Sequence, residues 1–410
     1  MHDPSSVATT AGEERPRFEV ADVVRAYGAE FLRTHSTSPV QRQALRAIAH
    51  CRTARCGGHV EGCDACGHKR IAYNSCRNRN CPKCQGAARA KWMAAEQSTL
   101  LPVDYFHVVF TLPHALNALI RVNPRKLYAL LFQAAAATLL TFARDPKHLG
   151  GEPAITMVLH TWGQNLTEHA HVHCVVSGGG LSADGRRWST TRRKGFLFPV
   201  LAMSKMFRGK YLAALARLGK RGTLRFTGQC AELADSTTWQ SLLTALQQTK
   251  WVVYAKPPFG GPEQVLKYLS RYTHRVAISN RRLLFVGDGI VRFAWKDYAD
   301  HSAHKEMTLS GAEFLRRFLL HVVPRGFMRI RHYGILANRH REQKLARCRD
   351  LLGVPTIAAP EPPIETPDTD THDEALDDDS DTERPLAPCP ICGARMRIIE
   401  VVPPQPRDTS

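Results

Sequence analysis

Three histidines alternate with other residues in the segment EHAHVHCVVSGGG, residues 168–180. Residues two apart in a β-strand project from the same face, so the pattern predicts that His171 and His173 point together, with Val172 buried behind them. Two imidazoles placed in this way can bind one divalent cation. The alternative is a pair of half-exposed strand histidines without a metal, and the motif alone leaves both open. We expect His169 at the turn before the strand.

A third metal ligand should come from the preceding predicted strand, AITMVLHTWGQNL (154–166), if the two strands pair. Gln164 is the first candidate, and His160 is the second. Two imidazole nitrogens and an amide oxygen, with positions left open for phosphate oxygens, suit Mg²⁺ or Mn²⁺. Such a donor set would serve chemistry on a phosphate.

Two tyrosines in the segment QVLKYLSRYTHR, Tyr268 and Tyr272, are four residues apart in a predicted helix. They should lie on one helix face, roughly 6 Å apart along the axis. Lys267 and Arg271 line an adjacent face, and Arg275 follows. A phenol beside cations ionises more readily and can attack a phosphodiester, and the cations are candidate DNA contacts. The alternative is an ordinary core helix with tyrosines at its edge.

Two CxxC pairs, Cys63/Cys66 and Cys81/Cys84, are separated by fourteen residues. Four thiolates at this spacing predict one tetrahedral zinc site, which would hold a small domain together. The same region contains further candidates for a second zinc site, of which some could instead be free core cysteines. These candidates are Cys51, His59 and Cys76, with Cys56 as a doubtful addition.

A late pair, Cys389 and Cys392, is half of a zinc site. Cys348, His372 or a second copy of the chain could complete it, and a reduced tail without metal is an equally good interpretation.

Two arginines, Arg77 and Arg79, stand between the early cysteines and are candidate phosphate contacts.

The chain is basic, with a net charge of +19 over 410 residues. Residues 361–384 hold eleven acidic residues and one arginine, a net of −10, so the rest carries +29. A basic body of this size favours a nucleic-acid partner. The first seventeen residues lack the apolar core of a signal peptide, and we interpret the apolar run at 127–143 as a buried helix. The expected location is the cytoplasm, with association to the nucleoid when the protein is bound to DNA.

The remaining patterns indicate an α+β fold with a central antiparallel sheet and flanking helices. Strands are predicted at 104–114, 154–166, 171–180 and 249–259, with a hairpin at 281–298 around Asp288-Gly289. The predicted organisation is a disordered tail (1–15), a helical and zinc-binding domain (16–100), a catalytic domain (101–353), an acidic Pro-rich linker (354–388) and a C-terminal CxxC module (389–410).

The order of these motifs resembles that of the HUH endonucleases. Within this group it resembles that of the two-tyrosine rolling-circle transposases of the insertion sequence 91 family. The resemblance covers most of the chain. It includes the cysteine-rich N-terminus, FTLPH, HVHCVVSGGG, YLSRYTHR, YGILANRHR and the late CPICG. It implies that the central sheet is of the HUH type.

The resemblance also implies a mechanism. A metal ion on His171 and His173 polarises a phosphate of single-stranded DNA at an element end. Tyr268 or Tyr272 attacks the phosphorus and leaves a 5′-phosphotyrosine and a free 3′-OH, which later rejoins the strand at a target. No nucleotide cofactor is implied, since the sequence has no P-loop motif. The implied partners are single-stranded DNA and, for some steps, a second copy of the chain.

Other classes of protein share some of these features. A non-enzymatic zinc-finger regulator would keep the cysteines and the charge but would not need both the histidine and the tyrosine motifs. A relaxase or replication initiator shares the chemistry, but relaxases usually carry their tyrosines before the histidines, and initiators typically lack this cysteine-rich front. A zinc-dependent deaminase needs H-x-E followed by P-C-x-x-C, whereas in the second early pair the proline lies inside the knuckle, as Cys81-Pro82-Lys83-Cys84.

Overall fold

A computed structural model describes residues 16–259, 276–298, 300–354 and 386–405, together with Gln264, Val265 and Tyr268. It confirms the α+β prediction, and every strand pairing among these residues is antiparallel. The predicted tail at 1–15, most of the predicted linker and Tyr272 lie outside the described residues.

The chain begins with two helices and a small hairpin that lead into a third helix. These elements are α1 (Val20–Thr34), α2 (Pro39–His50), β1 (Gly58–Cys63), β2 (Lys69–Tyr73) and α3 (Gln85–Gln97). Helix α2 starts where Ser38-Pro39 predicts a start. The Ser38 hydroxyl accepts from the Gln41 backbone N–H at 3.3 Å, and the Gln41 side chain accepts from the Ser38 N–H at 2.9 Å, which closes a capping box.

The middle of the chain supplies most of the central sheet and its covering helices. Its elements are β3 (Tyr105–Thr111), α4 (Asn117–Val122), α5 (Pro124–Arg144), β4 (Glu152–Trp162), β5 (Glu168–Leu181), β6 (Trp188–Thr190), α6 (Val200–Lys220), α7 (Ser236–Gln248) and β7 (Val253–Phe259). The last part contributes β8 (Leu283–Gly287), β9 (Ile290–Asp297), β10 (Ala303–Ser310), α8 (Gly311–Leu320), β11 (Ile330–Gly334), α9 (Arg341–Leu352) and β12 (Met396–Val402).

The central sheet has the strand order β11-β4-β5-β3-β7, and β6 pairs with β5. One face of this sheet packs against helices α5 and α6. Val172, Cys174 and Val176 of β5 lie in that core. Because side chains alternate along a strand, His171 and His173 project from the opposite face.

Helix α5 is long and apolar enough to cross a membrane, but 67% of its most apolar window is buried inside the protein. Leu127, Leu131 and Leu139 lie in the core cluster beside the central sheet. The prediction of a buried helix is confirmed.

The second sheet, β8-β9-β10, supports the N-terminal helices. The predicted hairpin is confirmed, since Asp288 and Gly289 both have positive φ, 49° and 76°, as a two-residue hairpin turn requires. Phe31 of α1 joins Phe293 and Phe314 in one buried cluster. Helices from the predicted zinc-binding domain therefore pack on strands from the predicted catalytic domain.

Strand β5 starts earlier than the sequence predicts. The turn closes at Gly163, whose N–H donates to the Thr167 carbonyl at 2.8 Å, and Trp162 already pairs with Glu168. His169 therefore lies in the strand, which corrects its expected place at the turn.

The triple glycine of β5 sits where other backbone and a large ring approach it closely. A Cβ at Gly179 would lie 2.4 Å from Nε1 of Trp188, and one at Gly180 would lie 2.9 Å from the Glu152 carbonyl. Larger residues would push β4 and β6 away from β5.

Candidate active site

Three histidines converge on the open face of the central sheet. His160 of β4 is the direct cross-strand partner of His171 on β5. A ring nitrogen from each of His160, His171 and His173 lies within 4.8 Å of the other two, and His160 and His171 are buried. The structure thus brings together the predicted pair and the second candidate for third ligand.

The orientation of His171 suits a metal ligand. Its Nδ1 lies 2.6 Å from the backbone carbonyl of His169 and donates to it, so the lone pair is on Nε2. That Nε2 lies 3.1 Å from Nε2 of His173. Adjacent ligands of an octahedral ion bound at about 2.1 Å stand about 3.0 Å apart, so this pair fits one ion.

Burial keeps His171 in the form that binds metals. Desolvation, followed by the nearby His169, lowers the pKa of His171 to about 3. The ring is therefore neutral near pH 7, and neutral imidazole is the metal-binding species.

Gln164, the first candidate for third ligand, lies outside this group. It sits in the turn after β4, where its backbone carbonyl accepts a hydrogen bond from Arg282. The strand ends at Trp162, so Gln164 does not continue the alternation that places His160 on the histidine face. The structure replaces Gln164 with His160 as the third member of the cluster.

Gln264, Val265 and Tyr268 are helical. The side chain of Tyr268 reaches the histidine face of the central sheet. Its hydroxyl oxygen lies 2.8 Å from Nε2 and 2.9 Å from Nδ1 of His107. The phenol ring packs against a buried cluster that contains Tyr105 and Val175. Four other predicted members of this site lie outside the described residues: Tyr272, Lys267, Arg271 and Arg275.

His107 is a member of the site that the sequence reasoning missed. It lies on β3, is 3% exposed, and its Nε2 is 2.9 Å from Nδ1 of His173. Burial, then the charges of Lys256 and His171, lower its pKa to about 3. A signal was present, since His107 is a polar residue in a strand whose alternate positions, Phe106 and Val108, face the core.

In the series His173–His107–Tyr268, the donor of each contact is set by which ring nitrogen carries the proton. If Nε2 of His173 holds a metal, its Nδ1 carries the proton and donates to Nε2 of His107. A neutral His107 then carries its own proton on Nδ1, which lies 2.9 Å from the Tyr268 oxygen. The arrangement can therefore hold a negatively charged phenolate in place.

The cysteines form two tetrads that differ from the predicted grouping. Cys81 and Cys84 join Cys51 and Cys76. Cys63 and Cys66 instead join the late pair, Cys389 and Cys392. The reason is topological. Cys63 and Cys66 sit at the β1–β2 turn, while Cys81 and Cys84 follow β2 at the start of α3.

The tetrad that precedes α3 has the dimensions of a zinc site. The sulfur of Cys84 lies 3.5 Å from those of Cys51 and Cys76, and tetrahedral Zn–S bonds of about 2.3 Å place sulfurs about 3.8 Å apart. Hydrogen bonds from Cys51, Cys76 and Cys81 lower the pKa of the Cys84 thiol.

His59 is not a member of either tetrad. Its Nε2 lies 3.1 Å from Oε1 of Glu61 on the same strand face. The prediction grouped His59 with Cys51 and Cys76, whereas the structure groups those two cysteines with Cys81 and Cys84. Cys56 also stands apart, and its thiol donates to the His50 carbonyl at 3.1 Å.

The two arginines between the early cysteines differ in exposure. Arg77 is exposed, whereas Arg79 is half-buried and its guanidinium donates to the Phe327 carbonyl at 2.8 Å. Arg79 thus ties the cysteine segment to the loop before β11.

Helix α3 connects this tetrad to the tyrosine. Cys84 immediately precedes the helix, and Trp92 on it packs against the cluster that contacts Tyr268 and Val265. The helix that follows the tetrad thus packs on the same buried cluster as the phenol.

Comparison with known proteins gives matches over most of the chain. A family model described as "Putative transposase" matches residues 154–344, and the IS91-type "Transposase zinc-binding domain" matches residues 23–112. The "Putative transposase y4qJ" of Sinorhizobium fredii is 50% identical over 399 residues, 96% of this chain and 98% of the relative. The "Transposase for insertion sequence element IS801" of Pseudomonas savastanoi pv. phaseolicola is 31% identical over 303 residues, 73% of this chain and 70% of the relative. No solved structure shows a significant match.

Proposed function

This chain belongs to the IS91 family of transposases, and from that premise we propose that it nicks and rejoins single-stranded DNA at insertion-sequence ends through a covalent tyrosine–DNA intermediate. The observation that carries the proposal is the meeting of Tyr268 with four histidines on one sheet face. Three of those histidines have their nitrogens within 4.8 Å of one another. A zinc-finger regulator would have no use for this constellation.

His160, His171 and His173 would hold the metal. A divalent ion there would polarise the scissile phosphate and stabilise the charge that develops on it. Imidazole nitrogens favour first-row transition ions over Mg²⁺. Of the two ions expected from the sequence, Mn²⁺ therefore suits the three-histidine set better than Mg²⁺.

The chemical step is a transesterification at phosphorus. The Tyr268 oxygen loses its proton to solvent and forms a bond to the phosphorus, while the bond from phosphorus to the 3′ oxygen breaks. The 3′ oxygen takes up a proton and leaves as a 3′-OH, and the 5′ phosphate stays on the tyrosine. The ester keeps the energy of the broken bond, so rejoining needs no nucleotide cofactor.

His107 acts on the nucleophile without touching the phosphate. Its Nδ1–H donates to the phenolate oxygen, 2.9 Å away, which favours the charged form of Tyr268 and aims it at the histidine face. Nε2 accepts from His173 and holds the ring in that tautomer. His107 is thus a positioning residue for the attack.

The second tyrosine of the motif, Tyr272, gives the enzyme a second covalent attachment. Two attachments in succession allow rolling-circle copying, in which one strand end is held while another is cut. Single-stranded DNA is the proposed substrate because an in-line attack at the sheet face then needs no duplex opening. Lys267, Arg271 and Arg275 would contact its phosphates.

The charge of the chain supports DNA as its partner. Outside the acidic stretch the chain carries +29, which favours DNA over other surfaces. We assign the enzyme to the cytoplasm, bound to the nucleoid when it engages DNA. A second copy of the chain would serve when two element ends are processed together.

Incubation with 5′-labelled and 3′-labelled single-stranded oligonucleotides carrying an element end, with Mn²⁺, tests the proposal. A covalent protein–DNA adduct should form on the 5′-phosphate side of the cut. The adduct should be absent from His171→Ala/His173→Ala and from Tyr268→Phe/Tyr272→Phe. Tyr298→Phe is the matched control, since Tyr298 is 68% exposed beside the second sheet. An adduct that persists without both tyrosines of the motif would refute the proposal.

A further inference from the structure

The C-terminal residues fold onto the N-terminal hairpin. Strand β12 pairs antiparallel with β1 on the side away from β2, from Gly58 opposite Val402 to Cys63 opposite Met396. Arg397 of β12 also donates to the carboxylate of Asp64, just past the end of β1, at 2.8 Å. The pairing places the late CxxC beside the first one.

Four thiols meet at this junction. Sγ of Cys63 lies 3.5 Å from that of Cys392, and Sγ of Cys66 lies 3.6 Å from that of Cys389. All four sulfurs lie within 4.8 Å of one another. A disulfide would need about 2.05 Å, whereas a tetrahedral zinc ion at about 2.3 Å from each sulfur needs about 3.8 Å between sulfurs.

The two CxxC turns have the same backbone geometry. In the first, the Gly67 N–H donates to the Cys63 carbonyl at 2.9 Å, and Gly67 has φ +74°. In the second, the Gly393 N–H donates to the Cys389 carbonyl at 2.9 Å, and Gly393 also has φ +74°. Glycine is needed at both places because few other residues adopt this backbone conformation.

The bond that closes each turn is repeated as well. The Cys63 N–H donates to the His68 carbonyl at 2.9 Å, and the Cys389 N–H donates to the Ala394 carbonyl at 2.8 Å. Two matched turns therefore face each other, each presenting a pair of sulfurs to one point. Such paired turns are the geometry of a zinc site built from two knuckles.

We infer that the late CxxC completes a second structural zinc site with the first CxxC of the same chain, so that one zinc ion fastens the C-terminal strand to the N-terminal domain. This ion is separate from the one at Cys51, Cys76, Cys81 and Cys84. It joins positions more than three hundred residues apart in sequence, so its loss would release β12 from β1.

Zinc stoichiometry on the purified full chain tests the inference. In a His171→Ala/His173→Ala background, which removes the three-histidine site as a further place for zinc, the chain should bind two zinc ions, and adding Cys389→Ser/Cys392→Ser should leave one. Cys63→Ser/Cys66→Ser should also bind one, because it removes the opposite half of the same site. Cys56→Ser, a cysteine outside both tetrads that bonds the His50 carbonyl, should keep two.

Cobalt substitution gives a second readout that does not depend on activity. The thiolate-to-cobalt absorption should fall by about half in each double variant, with the tetrathiolate spectrum of the remaining site unchanged. The inference is overturned if, in the His171→Ala/His173→Ala background, Cys389→Ser/Cys392→Ser retains two metal ions, or if the chain with all its cysteines holds a single ion that this change does not affect. The second result would favour a single site made by the two early CxxC pairs.

Discussion

The hydroxyl oxygen of Tyr268 lies 2.8 Å from Nε2 of His107, and that same nitrogen lies 2.9 Å from Nδ1 of His173. The tyrosine is thus connected through one buried imidazole to a member of the histidine cluster. If Tyr268 is the nucleophile, as we propose, this relationship couples its protonation to the arrangement of the histidine cluster. It also predicts that residues outside the HxH motif control the rate of cleavage.

Removing the donor to Tyr268 should slow cleavage. We expect His107→Leu to reduce the single-turnover rate roughly 10²–10³-fold, the loss typical when one donor to a developing negative charge is removed. His107→Gln, which keeps an N–H, should lose less. Circular dichroism and DNA binding should match wild type. A His107→Leu enzyme as fast as wild type would show that this contact plays no part in the attack.

The choice between His160 and Gln164 as third ligand can be measured directly. His160→Ala should raise the Mn²⁺ concentration for half-maximal cleavage by at least about 10–100-fold, the loss seen even for outer-shell partners. Gln164→Ala should stay close to wild type, because the turn holds this residue through its backbone carbonyl. The opposite ranking in a metal titration would restore Gln164 as the ligand.

Helix α3 should transmit the state of its cysteine tetrad to the tyrosine. Trp92→Ala removes the contact between this helix and the cluster around Tyr268, and we expect roughly 10²-fold slower cleavage from misplacement of the nucleophile. Trp239→Ala is the matched control, because Trp239 packs on Phe226 beside the core. Equal kinetic losses in the two variants, measured at equal stability, would mean that the effect is general destabilisation.

The triple glycine predicts a pair of opposite stability changes. Gly179→Ala should lower the free energy of unfolding by about 1–3 kcal/mol, because its Cβ would overlap the Trp188 ring. Gly209→Ala, in the open middle of α6, should raise it by about 0.5–1 kcal/mol, since glycine costs a helix backbone entropy. Urea denaturation of both variants checks this. A Gly179→Ala protein as stable as wild type would contradict the close packing of β6 on β5.

The sequence predicted those parts of the fold that local patterns encode. Alternation along β5 predicted the shared face of His171 and His173, and the Asp288-Gly289 dipeptide predicted the hairpin. The α+β class and the buried helix α5 followed from periodicity in the same way.

The parts that sequence reasoning missed depend on register and on long-range pairing. Whether His160 or Gln164 meets His171 depends on where β4 ends, and a shift of a few residues changes the answer. Whether Cys63 pairs with Cys81 or with Cys389 depends on β12 reaching β1. CxxC spacing identifies the two ligands of one knuckle but not the second knuckle that completes the zinc site. The sequence analysis paired Cys63/Cys66 with Cys81/Cys84 because that pair is nearer in sequence, and this pairing was wrong.

The most direct test of the central claim is mass spectrometry of the covalent adduct formed with single-stranded element-end DNA and Mn²⁺. After digestion, the account predicts a peptide from residues 264–275 that carries a nucleotide through a 5′-phosphate on Tyr268 or Tyr272. The Tyr268→Phe variant should lose the Tyr268-linked peptide while its His160, His171 and His173 still bind metal. A nucleotide attached to any residue outside that motif, or cleavage without an attached peptide, would contradict the account.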